Sequence, residues 1–226
     1  MQPSQDCDDA FEVTVLKPSS ARRCILFAAG RGGNPLRHLA LLQAFADEGM
    51  LVIAPHFDML ASPAPTAAEL SERRRRLSFA AGHCPAGLPV AGLGHSIGTV
   101  ALLLLAGAEA DTLAGERVRA AAGYPFDRLA LLAPPTDFFR RPDSLSFVKV
   151  PVQVWVGDRD TITPPAQVAF LKDAIEGVVP VDIRVVEGAG HFTFMNELPP
   201  HVVDAHPDRA GFLRTLAGEV CRFLVS

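Results

Sequence analysis

The sequence predicts an α/β protein: a mostly parallel, doubly wound sheet with helices on both faces. Three observations lead there. Short apolar runs alternate with helical patterns along the chain, the runs are continuously apolar as strands buried on both faces are, and turn or capping residues stand at nearly every junction.

Six runs read as central strands: RCILFAAG (23–30), MLVIAP (50–55), LPVAGLG (88–94), RLALLAP (128–134), VPVQVWVG (150–157) and VDIRVVEG (181–188). FEVTVLK (11–17) alternates apolar and polar residues and reads as an antiparallel edge strand. Between them, Asn34 and Pro35 form the N-cap and first position of a helix that Gly49 stops, with Leu39, Leu42, Phe45 and Ala46 as its buried stripe. Thr66 and Glu69 form a capping box for a second helix ending near Gly82. A serine in a glycine-rich turn, GLGHSIG, opens a third, unbroken apolar helix. Thr163 and Pro164 open another, closed near Gly177, and the last starts around Asp208 and buries Phe212, Leu216, Val220 and Leu224. No repeat or linker divides the 226 residues, so a single domain over 1–226 is expected.

Composition narrows the function classes. Hydrophobic residues make up 49% and charged residues 20%, ordinary for a globular chain. A net charge of -4 supplies no basic field for a polyanion, which excludes nucleic acid as the expected partner and favours a small molecule. The most apolar run, VALLLLAGA at 100–108, falls far short of the roughly 20 residues that span a bilayer, so no membrane span is expected. Acidic residues near the start, where a secretory signal carries basic ones, give a cytoplasmic location as the expectation. Cys7, Cys24, Cys84 and Cys221 lack metal-type spacing and read as free thiols, mostly buried.

In doubly wound sheets, chemistry sits at the carboxyl ends of the strands. Gly94, Ser96 and Gly98 form G-x-S-x-G between a strand and a helix, the order of a nucleophile elbow. Side chains two residues before and after a serine on so sharp a turn would collide, and the glycines remove that collision. The rival reading is a dinucleotide fingerprint, but Gly92, Gly94 and Gly98 are spaced one residue too long for it, and no acidic residue ends the next strand. A nucleophilic serine needs a base, and the base an orienting carboxylate. Asp160, in GDRDTITP, and His191, in GAGHFTF, each follow a strand and supply both, with Asp158 as a second possible orienter.

The loop FAAGRGGNP (27–35) follows a strand and enters a helix, where an oxyanion-binding backbone NH is expected. Arg31 is the candidate donor there, and Ile97, the first residue after the serine, the other. No Lys-Ser/Thr pair follows, which excludes a P-loop. His56, Phe138, Phe139 and Phe192 are candidates for a substrate pocket, and most of the aromatics near the site read as core. His56 and Asp58 lack a third ligand for a metal, and no metal or cofactor is expected. The run ERRRR (72–76) reads as a solvated helix face, with Glu69 and Glu72 four residues before Arg73 and Arg76.

Together, GHSIG, GDRDTITP and GAGHFTF resemble the α/β-hydrolase superfamily over nearly the whole chain, and the short length looks like its dienelactone-hydrolase-like branch. The resemblance implies an α/β-hydrolase fold with Ser96 as nucleophile, Asp160 as orienting acid, His191 as base and the NH groups of Arg31 and Ile97 as oxyanion hole. Two departures stand out: dienelactone hydrolases use a cysteine where this elbow has Ser96, and the histidine common before the oxyanion glycine is replaced by Ala29. Little chain remains for a cap at 109–125 and 135–149, so a fairly open site for a small acyl substrate is expected. The leading expectation is a serine hydrolase cleaving an ester or related acyl bond. A thioesterase, amidase or acyltransferase would use the same triad, and a noncatalytic binding protein on the same fold is the alternative from another class.

Overall fold

The computed structural model describes residues 10–119, 122–175 and 177–226; Cys7 lies outside them. Strand β1 (Val13–Leu16) leads to β2 (Arg23–Ala28), a 3-10 turn (Pro35–His38), α1 (Leu39–Asp47), β3 (Met50–Pro55), α2 (Ala67–Ala81), β4 (Val90–His95) and α3 (Ile97–Leu105). A small hairpin of β5 (Ala110–Asp111) and β6 (Arg117–Val118) follows, then β7 (Arg128–Leu132), a second 3-10 turn (Thr136–Phe139), β8 (Val152–Gly157), α4 (Pro165–Ile175), β9 (Val181–Val186) and α5 (Arg209–Val225).

The main sheet has the order β1-β3-β2-β4-β7-β8-β9, with β1 antiparallel to β3 at one edge and every other pairing parallel. Helices α1 and α5 pack against each other, as do α2 and α3, so both faces are covered. That cover explains the continuous apolarity of the strands: β4, β7 and β8 are buried almost end to end. All nine residues of α3 are buried, and each large aliphatic side chain so removed from water contributes about 1.5–3 kcal/mol. Among the described residues, the stretches at 109–125 and 135–149 add the β5-β6 hairpin and a 3-10 turn.

From β2 the chain steps outward through α1 to β3, then returns over β2 through α2 to β4. The winding reverses between β2 and β4, whose paired ends include Ala28 opposite Gly94. A crevice forms at such a reversal because the two following loops lead to opposite sides of the sheet.

Local capping follows the sequence closely. Asn34 Oδ1 accepts from the Leu36 N–H at 2.8 Å, Thr66 and Glu69 form a reciprocal capping box, and Asp208 Oδ1 accepts from the Gly211 N–H at 2.9 Å. The first helical segment departs from expectation at its start. Its opening turn is 3-10, which winds more tightly, so the stripe phase shifts: Leu39 is 42% exposed, while Leu41, Leu42, Phe45 and Ala46 are buried.

Two further expectations are corrected. Arg73 and Arg76 do not lie on a solvated face; they are 2% and 8% exposed, because both turn toward the loops that follow β2 and β3. Glu72 does pair with Arg76 at 2.8 Å and also with Arg75, whereas Glu69 turns back to cap its helix. Cys24 and Cys84 are not free thiols but a disulfide, with Cα atoms 6.1 Å apart, joining the start of β2 to the turn after α2; Cys221 is free. The pairing arises because α2 packs beside β2 and ends level with it. Disulfides persist in oxidising compartments, so this pair pulls against a cytoplasmic location. Among the described residues, no helix is long and apolar enough to cross a membrane.

The disulfide closes a 60-residue separation, for which loop entropy alone gives a stabilisation of about 4 kcal/mol. The Cys24→Ala/Cys84→Ala double variant should therefore unfold at clearly lower urea concentration than the oxidised protein. Unchanged midpoints would show that the cross-link contributes nothing.

Candidate active site

Ser96 lies between β4 and α3 with φ 53° and ψ -133°, a conformation that L-residues rarely adopt. Its amide donates to the Leu132 carbonyl at 2.9 Å, which ties the turn to β7. Gly98 permits this geometry: a methyl group there would run into the carbonyl oxygens of Ala28 and Ala29 at the end of β2. At Gly94 a methyl would lie 2.8 Å from Leu102 Cδ1 and 3.1 Å from the Thr99 amide. Both glycines thus let α3 start hard against the sheet.

The serine hydroxyl donates to His191 Nε2 at 2.9 Å, and His191 Nδ1 donates to Asp160 Oδ2 at 2.9 Å. His191 comes from the loop after β9 and Asp160 from the loop after β8, so three strand ends supply one hydrogen-bonded chain. Asp160 is 3% exposed and His191 7%, while Ser96 is half-buried. Asp160 is heavily engaged. Its Oδ1 accepts from the amides of Ile162 (2.8 Å) and Thr163 (2.7 Å), and its Oδ2 also accepts from Thr163 Oγ1 at 2.6 Å. Burial works against ionisation of this carboxyl, but the hydrogen bonds from His191 and Thr163 outweigh it and hold the group below the usual carboxylate range.

Asp158, the second candidate orienter, is occupied elsewhere: its Oδ1 accepts from the Gly188 amide at 2.8 Å and fastens the turn before His191. Phe192 stands edge-on to His191, ring centroids 5.2 Å apart at 87°. His56 is not brought to this group; its Nε2 hydrogen-bonds with Thr14 Oγ1 at 2.8 Å on the edge strand. Phe139 is fully enclosed in the core and Phe138 is 6% exposed, both in the 3-10 turn after β7.

The loop after β2 lies against the serine turn. A methyl on Gly30 would sit 3.3 Å from both Ser96 Cβ and His95 Nδ1, so the backbone carrying Arg31 passes within van der Waals reach of the serine. The Arg31 side chain points away, with Nε and Nη2 donating to the carbonyls of Leu60 and Ala61. Ile97 is the first residue of α3, where helix geometry leaves an amide without an intrahelical partner.

Sequence reasoning missed the support around this group. Thr163, read only as a helix opener, braces Asp160, and its place three residues after an aspartate in a turn was the available signal. His95 Nε2 donates to the His191 carbonyl at 3.0 Å and so joins the serine turn to the histidine loop. His38 stacks between Phe27 and His95, centroids 5.0 and 5.1 Å away. A cavity of about 270 Å³ opens beside Arg73, lined by Phe57, Met59, Leu60, Glu69 and Arg76 among others, and no residue of the Ser96–His191–Asp160 chain lines it.

No family model matches the sequence, and no curated protein matches it either. Solved structures do. Butyrate-bound esterase 2 of Thermogutta terrifontis superposes with a TM-score of 0.68 at 16% identity, covering 97% of this chain and 90% of that one. A dienelactone hydrolase of Anabaena variabilis gives 0.66 at 17% identity, covering 95% and 91%. The chain has the α/β-hydrolase fold. A Thermus thermophilus protein with 21% identity also superposes, at a TM-score of 0.60 and coverage of 92% and 93%. The Thermogutta esterase is also known phosphorylated by paraoxon.

The histidines set an acid limit on this hydrolase fold. Among the described residues, neither ring nitrogen of His38 has a partner, and burial, aided by Arg37, pushes its pKa from 6.5 down to about 3. Burial likewise drives His95 well below its ordinary value, with His38 and His191 adding to the effect. Because the folded pKa lies below the unfolded one, the stabilisation is complete above pH 6.5 and drains as pH falls toward 3. His38 should contribute a slope of about 1.4 kcal/mol per pH unit in that window. Urea unfolding of a His38→Phe variant should lose less stability than wild type between about pH 7.5 and pH 5. Parallel losses in the two proteins would mean that His38 is not the titrating group.

Proposed function

We propose that the protein is a serine hydrolase that cleaves a small ester or related acyl bond through an acyl-enzyme. The observation that carries this reading is the unbroken chain Ser96 Oγ–His191 Nε2 and His191 Nδ1–Asp160 Oδ2, with both links at 2.9 Å. Its serine sits at φ 53° and ψ -133°, a strained conformation of the kind that clusters at active sites.

In this mechanism Ser96 Oγ attacks the substrate carbonyl as its proton passes to His191 Nε2. Asp160 keeps the ring oriented and offsets the imidazolium charge. The carbonyl oxygen becomes an oxyanion facing the amides of Arg31 and Ile97, the second favoured by its place at the positive end of α3. His191 then returns the proton to the departing alkoxide, leaving the acyl group on Ser96. A water gives its proton to His191 and attacks the acyl carbon, and collapse of the second intermediate releases the acid and reprotonates the serine. Every proton moves between these side chains, substrate and water, so the scheme calls for no cofactor.

Short acyl groups fit best. Little chain stands over the site, Phe192 forms one wall beside His191, and the superposed Thermogutta esterase holds propionate and butyrate. With an alcohol in place of water the same steps transfer the acyl group, and the ratio of acid to new ester in competing alcohol separates the two outcomes.

Ser96→Ala should abolish both turnover of p-nitrophenyl acetate and butyrate and formation of a fluorophosphonate adduct, read by intact mass. Asp160→Asn should lower kcat by about 10⁴-fold, since it disturbs the tautomer that His191 presents. Folded wild type that takes no adduct would sink the hydrolase reading and favour a binding protein on the same fold.

A further inference from the structure

The buried guanidinium of Arg73 has an arrangement that packing does not require. It reaches from the middle of α2 to the loop after β2, where Nη1 donates to the carbonyls of Ala29 (3.1 Å) and Gly30 (2.9 Å). Nη2 donates to the carbonyls of Arg31 (3.0 Å) and Asp58 (2.9 Å). Three successive carbonyls of one loop thus turn toward a single cation. Left to themselves, their dipoles would repel; a planar fork with several donors is the side chain that can gather them.

The direction of those carbonyls dictates the direction of the amides. In a trans peptide the C=O and the following N–H point opposite ways. The Gly30 carbonyl is held by Arg73 Nη1 and by the Gly33 amide at 3.0 Å, so the N–H of Arg31 is turned to the other side of the strand of loop. Gly30 is also the residue on which a methyl group would lie 3.3 Å from Ser96 Cβ. The Arg31 carbonyl is fixed twice, by Arg73 and by the Leu60 amide at 3.1 Å, which leaves that peptide little freedom to flip.

We propose that Arg73 is a positioning residue for the oxyanion hole: it binds the carbonyl face of residues 29–31 so that the Arg31 amide is presented to the oxyanion formed at Ser96. The proposal rests on the serine-hydrolase reading. Because its bonds go to backbone, Arg73 acts at one remove from substrate. Among the described residues no carboxylate is hydrogen-bonded to its cationic charge, on which Glu69 and Asp58 act through space. The field of that charge adds to the pull of the amides on a developing negative oxygen.

The test uses the full chain, with Arg73→Ala and Arg73→Lys compared with wild type on a short p-nitrophenyl ester. Orientation of the oxyanion donor matters in the transition state, so Arg73→Ala should lose about 100-fold in kcat with KM changed by less than about threefold. Phosphonate labelling should slow in parallel. Lysine supplies the charge but not the fork and should recover only part of the loss. Millimolar guanidinium should restore Arg73→Ala by about tenfold without accelerating wild type, an effect that a general loss of packing would not show. Hydrogen exchange should rise in residues 29–33 of the variant and not in β7 or β8.

A folded Arg73→Ala variant that keeps wild-type kcat, or whose loss lies wholly in KM and ignores guanidinium, would overturn the proposal while leaving the serine hydrolase intact. Should Arg73→Ala not fold, the folded lysine variant decides: full kcat there overturns the proposal, and a kcat loss at constant KM upholds it. Wild type without turnover or adduct would remove the hydrolase reading itself, and this proposal with it.

Discussion

Everything at the candidate site depends on the parallel pairing of β2 with β4. These are the strands between which the winding of the sheet reverses, so no crossover helix covers the gap at their carboxyl ends. The pairing sets Ala28 opposite Gly94 and thereby brings two loops of unrelated sequence, AAGRGG and GHSIG, into contact. Gly98 lets backbone approach where a side chain would run into the carbonyls of Ala28 and Ala29, while Gly30 leaves only a tight fit against Ser96 and His95. Strain at Ser96 is tolerated because the turn is fixed on both sides, by the Leu132 carbonyl before α3 and by the buried length of α3 after it.

A second layer of polar groups holds the first, and it is costly. His38, His95, Arg73, Asp160 and Thr163 are all removed from water. Asp160 and Thr163 satisfy each other, and Arg73 is answered by four carbonyls, so burial there is offset by good geometry. Among the described residues pairing is incomplete at Arg73 Nε, at His95 Nδ1 and at both ring nitrogens of His38, a neutral ring set between Phe27 and His95. A phenylalanine could fill much of that space.

The sheet was legible in the chain because β2, β3, β4, β7 and β8 carry their burial in their composition and β1 advertised itself by alternation; β9, expected among the central strands, is the opposite edge and only half-buried, because no strand covers its outer side. The Ser96, Asp160 and His191 positions were legible because each follows a strand, and strand ends of one parallel sheet converge. What escaped was whatever depended on phase or on distance across the fold. Arg73 occupies the apolar stripe of α2 with Leu70, Leu77 and Ala80, at spacings of three and four; reading charge before phase assigned it to solvent. Leu39 was misplaced by a tighter opening turn that no residue announces. Cys24 and Cys84 carry no mutual spacing signal at all, and only the packing of α2 beside β2 reveals them as partners. His56 and Phe192 both follow strands and look alike in sequence; the edge strand claims one and His191 the other.

The Cys24–Cys84 cross-link encloses more than its two elements. The ring it closes contains the 29–31 loop, the Asp58 carbonyl and Arg73, so donor and acceptors of the loop clamp belong to one covalent circle. In an oxidised chain that has lost its fold, those groups still roam a common small volume, and their effective concentration stays far above that of the same groups on an open chain. Ser96, Asp160 and His191 all lie outside the circle. The molecule is thus divided covalently into a tethered segment, residues 24–84, that carries the 29–31 loop and its clamp, and the rest of the chain, which carries Ser96, Asp160 and His191.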